Sequence, residues 1–253
     1  MSAPSPAPIA EPAAVETREI GLAAGLVREA FKALLVCEKD LRIEWRSLDN
    51  LPSMFFFALL VLVIFNFGFD FTTADFSQIG PGVLWVAFSF CGVLAFGHSF
   101  ALEKETDGLQ GLALAPIDPG TIYLGKTLAN LVSMAIVEAV VLLLTAVLFN
   151  ADILSAAGPL IVVAFTHTLG YAALGTLFAA MTARTRRGDV LLPVLLFGFS
   201  APLMMSAVRA TAAVLEGQGA YGERAAAWVT MSLIFDLVFL TAGYLTFEHV
   251  IEE

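Results

Sequence analysis

Apolar residues in this chain come in long unbroken runs, and a run of 18 or more such residues reads as a helix crossing a bilayer. Six runs stand out, at about Ser53–Phe69, Ile79–Leu102, Ile122–Phe149, Ile153–Met181, Val190–Leu215 and Ala225–Phe247. Spans three and four are longer than the roughly 20 residues a bilayer needs, so each tilts or extends beyond the hydrocarbon. Upstream, from about Thr17 to Arg46, the pattern changes to helical spacing with charges throughout. Ile20, Ala24, Val27, Phe31, Leu34, Leu41 and Trp45 recur on one side, and Arg28, Lys32, Lys39, Arg42 and Arg46 fill much of another. A basic amphipathic helix of this kind suits a membrane surface, or the side of another helix. Residues 1–16, rich in Pro and Ala, read as a disordered tail and not as a cleavable signal.

The expected fold is therefore an all-α integral membrane protein of about six transmembrane helices. It divides into a tail (1–16), an amphipathic interfacial helix (17–50) and a six-span domain (51–253). Composition agrees: 58% of the 253 residues are hydrophobic, only 14% are charged, and mean hydropathy is +0.84. The formal charge of -10 says little about partners, because orientation follows the placement of Lys and Arg. Ten of the 13 basic residues precede the first span or fall in the connections after spans two and four, and Lys126 lies on the same side at the start of span three; only Arg209 and Arg224 lie on the other side. That asymmetry places both termini, and the 103–121 and 182–189 connections, in the cytoplasm.

Chemistry-bearing residues are sparse. Gly120-Thr-Ile-Tyr-Leu-Gly125-Lys126-Thr127 matches the literal GxxxxGK[ST] pattern of a phosphate-binding loop. Its interior is bulky, prolines precede it where a strand is needed, and a membrane span follows. The reading is that Lys126 reaches to the cytoplasmic interface at the start of span three. Glu138 and Asp236 lie inside spans, where a carboxylate is costly and faces either a partner, a water-filled path or a packing hydrogen bond. His167, near the middle of span four, is either a packing residue or a haem axial ligand. Cys37 and Cys91 read as small apolar residues, and no metal-ligand spacing or catalytic constellation is present.

The connection from Glu103 to Pro119, EKETDGLQGLALAPIDP, is the most informative stretch. Charges give way to a glycine and then to an apolar run closed by two prolines. Leu109, Leu112, Leu114 and Ile117 suit a short helix lying against a protein partner. Here the chain resembles a known family. Phe100-Ala-Leu-Glu103-Lys104-Glu105-Thr-Asp107-Gly108-Leu109-Gln-Gly-Leu112-Ala-Leu114-Ala-Pro116, followed by Tyr123-Leu-Gly-Lys126 and preceded by Gly80-Pro-Gly-Val-Leu-Trp85-Val-Ala, is similar to the CcmB family. These are permease subunits of the cytochrome c maturation ABC transporter, the haem exporter. The resemblance runs from about Ala30 to the C-terminus.

The resemblance implies an architecture similar to ABC-2 type exporters: six spans and a cytoplasmic coupling helix between spans two and three. It implies no enzyme activity on this chain. A separate ATPase, CcmA, would dock at Glu103, Lys104, Glu105, Asp107, Gly108, Leu109, Leu112 and Leu114 and hydrolyse the ATP. CcmC and CcmD would be membrane partners, CcmE the haem chaperone, and the bacterial inner membrane the location. The external loops are short and poor in Trp and His, so the expected role is mechanical, with haem held on partner subunits and no cofactor here. Two other readings stand beside it. One is an ABC-2 permease exporting a lipid or polysaccharide; the other is an enzyme or proton-coupled carrier built on Glu138 and Asp236. Nucleic acid is not an expected partner.

Overall fold

The computed structural model describes residues 12–47, 50–69, 76–105, 116–183, 185, 187–218 and 222–252. Seven long helices account for nearly all of them: α1 (Pro12–Ser47), α2 (Asn50–Gly68), α3 (Phe76–Glu105), α4 (Pro119–Leu148), α5 (Ala157–Ala183), α6 (Gly188–Ala213) and α7 (Glu223–Glu252). There is no strand among the described residues. Helices α2 to α7 are each long and apolar enough to cross a membrane. Their bounds fall within a few residues of the expected spans, and α1 begins inside the stretch read as tail.

Each helix starts where its sequence dictates. Asp118 caps α4, its carboxylate accepting from the Thr121 N–H at 3.2 Å, and Pro119 occupies the first turn, where no N–H is needed. Helix α6 ends in a wider turn over Val214–Gln218, where Gly217 adopts a positive φ of 87° that releases the chain towards α7.

The spans run antiparallel in sequence order, so the connections alternate between two ends. Asn66 near the end of α2 donates to the Leu148 carbonyl near the end of α4 at 2.8 Å. Phe76 and Phe149 pair at the same end. Helix α5 is the pillar: it packs against α3, α4, α6 and α7, and residues 170–180 are buried without interruption. Small residues allow this, since Gly170, Ala172, Ala173, Gly175, Ala179 and Ala180 bring neighbouring helices close. Aromatics fill the remaining space on the α3 side, where Trp85, Phe88, Phe96 and Tyr171 are fully buried. Trp85 donates to the Thr211 hydroxyl on α6 at 2.9 Å, and Tyr171 to the Ser89 carbonyl at 2.8 Å. Tyr123 of α4 donates to the Ala173 carbonyl of α5 and the Phe239 carbonyl of α7. No water competes for these groups in a bilayer, so such bonds hold the interhelical register.

Candidate functional site

Most basic residues sit at the end of the bundle where α3 stops and α4 begins. Helix α1 is built into that end. It runs parallel to the first half of α4 and makes its main contacts there. Helix α4 is 30 residues, about 45 Å at the α-helical rise, against a hydrocarbon thickness of about 30 Å. It therefore tilts or extends beyond the membrane core, and α1 lies against its first half.

The contact is a polar seam. Glu29, Ala33, Val36, Cys37, Asp40 and Glu44 fall on one face of α1 by the three-to-four residue step of a helix. Thr121 donates its hydroxyl to Glu29 at 3.1 Å. Lys126 donates to the Asp40 carboxylate at 3.1 Å, and Lys39 pairs with the other oxygen of the same carboxylate at 2.8 Å. Ser133 donates to Glu44. Lys32 bonds Glu29 at 2.8 Å and the Pro116 carbonyl at 3.3 Å, tying α1 to the first described residue ahead of α4. The bonded Lys32 ammonium is the leading reason the Glu29 carboxyl is held below the usual carboxylate range. Burial, and secondarily Asp40, push the Cys37 thiol up.

Gly125 sets the separation of the two helices. A Cβ built there would lie 2.6 Å from the Ala33 carbonyl oxygen and 2.7 Å from the Val36 Cβ. The phosphate-loop octet is accounted for by this packing. It is continuous helix from Pro119, Gly120 sits under the Tyr244 ring, Gly125 admits α1, and Lys126 is 2% exposed in its ion pair. The expectation that Lys126 reaches out to the interface is corrected here. Helix α1 covers it and supplies a carboxylate, a neighbour that local sequence could not place. The seam acids themselves were missed because the hydrophobic stripe dominated the reading of α1. That stripe faces away from the bundle: Val27 is 70% exposed, Phe31 60%, Leu34 57% and Trp45 55%.

Of the expected docking residues, Glu103, Lys104 and Glu105 continue α3 as its final residues. Asp107, Gly108, Leu109, Leu112 and Leu114 lie outside the described residues, as does most of the 1–16 tail.

The three intramembrane candidates gather around a single turn of α5, from three sides. Glu138 on α4 accepts from the Thr168 hydroxyl at 2.6 Å, and its second oxygen has no hydrogen-bond partner among the described residues. Asp236 on α7 presses against Gly170, whose added Cβ would lie 2.1 Å from the Asp236 Oδ1. Neither Asp236 oxygen has a described partner. His167 turns to α3, its ring 4.2 Å from that of Trp85 and stacked on Tyr171 at 5.7 Å. It is wholly buried, with the Trp85, Phe88 and Tyr171 rings around it. His249 lies elsewhere, lining a groove of about 780 Å³ between the ends of α5 and α7 with Leu177, Met181 and Thr246. No group of three or more His, Cys, Asp or Glu side chains among the described residues could hold a metal ion.

A family model described as CcmB protein matches residues 31–252. The chain is 32% identical over 178 residues to the Heme exporter protein B of Paracoccus denitrificans, covering 69% of this chain and 78% of that protein. It is 30% identical, over the same shares, to the Heme exporter protein B of Rhodobacter capsulatus. To the Heme exporter protein B of Bradyrhizobium diazoefficiens it is 26% identical over 210 residues, covering 81% and 91%.

Proposed function

The chain belongs to the CcmB family, and we propose that it works there as the permease subunit of a haem-exporting ABC transporter serving cytochrome c biogenesis. The observation that carries this is the family match over 31–252, which takes in every one of the six membrane-crossing helices and their polar connections. Fold and placement of charge support the same reading. The basic residues of α1, with Lys126 and Arg187, lie toward one end of the bundle, and by the positive-inside rule this supports a cytoplasmic side for that end and a place in the bacterial inner membrane.

ATP is hydrolysed on a partner, a CcmA-like ATPase, which docks on the connection at Glu103, Lys104, Glu105, Asp107, Gly108, Leu109, Leu112 and Leu114. The apolar run buries against the ATPase, and the charges before it form the rim. Helix α3 ends at Glu105 and α4 begins at Pro119, so a push on the segment between them acts on both helices at once. That motion spreads through Tyr123 to α5 and α7. CcmC-like and CcmD-like membrane subunits and a CcmE-like chaperone complete the assembly. Haem sits on those partners, and this chain supplies movement. The setting of His167 supports that division, since its ring is wholly buried against Trp85, Phe88 and Tyr171.

Deleting the gene and staining membranes for covalently bound haem tests the reading. Loss of all c-type cytochromes with b-type cytochromes retained, restored by a plasmid copy, is the expected result. Normal c-type cytochromes in the deletion strain would refute it.

A further inference from the structure

We propose that α1 and the first half of α4 form one rigid strut, closed over Gly125 by the Asp40–Lys126 ion pair, that delivers displacement of the 103–118 connection to the first span. This deepens the reading of that connection as the ATPase-docking element and rests on it.

The contacts run along the strut in parallel order. Glu29 meets Thr121, Ala33 and Val36 meet Gly125, Asp40 meets Lys126, and Glu44 meets Ser133. Helix α2 begins at Asn50, three residues after α1 ends, and continues along α4 until Asn66 bonds the Leu148 carbonyl. Helices α1 and α2 together thus accompany α4 over nearly its whole length. At the other extreme Lys32 holds the Pro116 carbonyl, where the connection enters α4. Any movement arriving at Pro116 reaches α1 directly and α4 through its cap.

The seam is built to stay closed. Lys126 is 2% exposed and Asp40 14%, so a change that removes either charge leaves the other buried and uncompensated, which is strongly destabilising. At Gly125 backbone meets backbone, with no long side chain to flex between them. A latch that opened in each cycle would be expected to use exposed, water-compensated pairs, which separate at little cost. Asp40 and Lys126 are therefore positioning residues: they touch no substrate and act through the placement of α1.

The test uses the full transporter in its native membrane with the Asp40→Asn variant, which leaves the Lys126 ammonium facing a neutral amide. Three quantities are read: maleimide labelling of the native Cys37 in α1, co-purification of the ATPase, and yield of holocytochrome c. The expected result is faster labelling, ATPase still bound, and a yield lowered about tenfold. The charge-swapped double variant Asp40→Lys/Lys126→Asp is expected to restore both labelling and yield. If Asp40→Asn does not accumulate, Ser133→Ala loosens the same seam more gently and is read in the same way. Faster labelling with unchanged yield would overturn the proposal, as would unchanged labelling and yield, or a lowered yield that the swap leaves low. Absence of ATPase from the unchanged complex is a separate outcome. It would refute the docking reading, while the link between Cys37 exposure and yield would still decide the role of α1.

Discussion

Replacing Gly125 with Ala adds one methyl group at the point where α1 comes closest to α4. Its Cβ would lie 2.6 Å from the Ala33 carbonyl oxygen and 2.7 Å from the Val36 Cβ. Carbon atoms rest at about 3.5–4.0 Å, so α1 must withdraw by roughly 1 Å. Overpacking of this kind costs about 1–3 kcal/mol. The same withdrawal stretches the 3.1 Å bonds from Thr121 to Glu29 and from Lys126 to Asp40 towards the limit of hydrogen bonding. Alanine is the better helix former by about 1 kcal/mol, but α4 is helical whether or not α1 is docked, so that gain cancels. A central value of about 2 kcal/mol corresponds to a roughly 30-fold larger undocked population.

The assay needs no engineered reporter. Cys37 lies on the seam face of α1 and is buried, and burial pushes its thiol up, so docking covers it and disfavours the reactive thiolate. Cys91 is wholly buried in α3 beside the Met54 carbonyl and serves as the internal control. Gly125→Ala is expected to speed maleimide labelling of Cys37 about 30-fold while Cys91 stays slow. Equal labelling rates in the variant and the unchanged protein would refute the packing argument. Equal acceleration of both cysteines would refute its localisation to the seam.

Four further outcomes are expected. Gly170→Ala drives a Cβ into Asp236 and should cost about 1–3 kcal/mol, with a double variant that also carries Asp236→Ala less destabilised than the sum; fluorescence-monitored thermal unfolding in detergent checks this. Thr168→Val removes the described donor to Glu138 and should lower stability by about 1–3 kcal/mol in the same assay. Lys32 on α1 itself, and secondarily the Thr121 hydroxyl on α4, hold the Glu29 carboxyl below its ordinary value, and only the Thr121 bond depends on docking; that part of the docking stability is complete above the usual carboxylate range and lost as pH falls through the depressed value, so spin-label distances between α1 and α4 should lengthen on acidification in the unchanged protein and less in Glu29→Gln. Photoreactive ATP should leave residues 120–127 of the isolated chain unlabelled, since the octet is helix and Lys126 is held by Asp40.

The membrane spans were legible because a bilayer demands an uninterrupted apolar stretch, and nothing else in this chain imitates one. Ile122–Phe149 and Val190–Leu215 match α4 and α6 to within a turn at each end. The family was legible in the 100–116 and 80–87 stretches, and the match over 31–252 agrees with it. The α1–α4 seam was not. Glu29, Asp40 and Glu44 follow helical spacing, but acids at that spacing look the same on a solvated face as on a buried one. Their partners Thr121, Lys126 and Ser133 are more than 80 residues away. Lys126 drew attention for the wrong reason, since a pattern of letters matched a phosphate loop whereas the fold uses its glycines for helix contact. Glu138, His167 and Asp236 were recognisable singly as intramembrane polar groups. Their convergence on one turn of α5 depends on how four helices pack, which periodicity within a single helix does not encode.

The central claim is that an ATPase works on this permease through the connection between α3 and α4. The most direct measurement is a pull-down of the tagged chain from native membranes, with and without the triple change of Leu109, Leu112 and Leu114 to Asp. An ABC ATPase that co-purifies with the unchanged chain and is lost from the variant, while the variant remains in the membrane, is the predicted result. No ATPase in either sample, or an ATPase retained by the triple variant, would contradict the account.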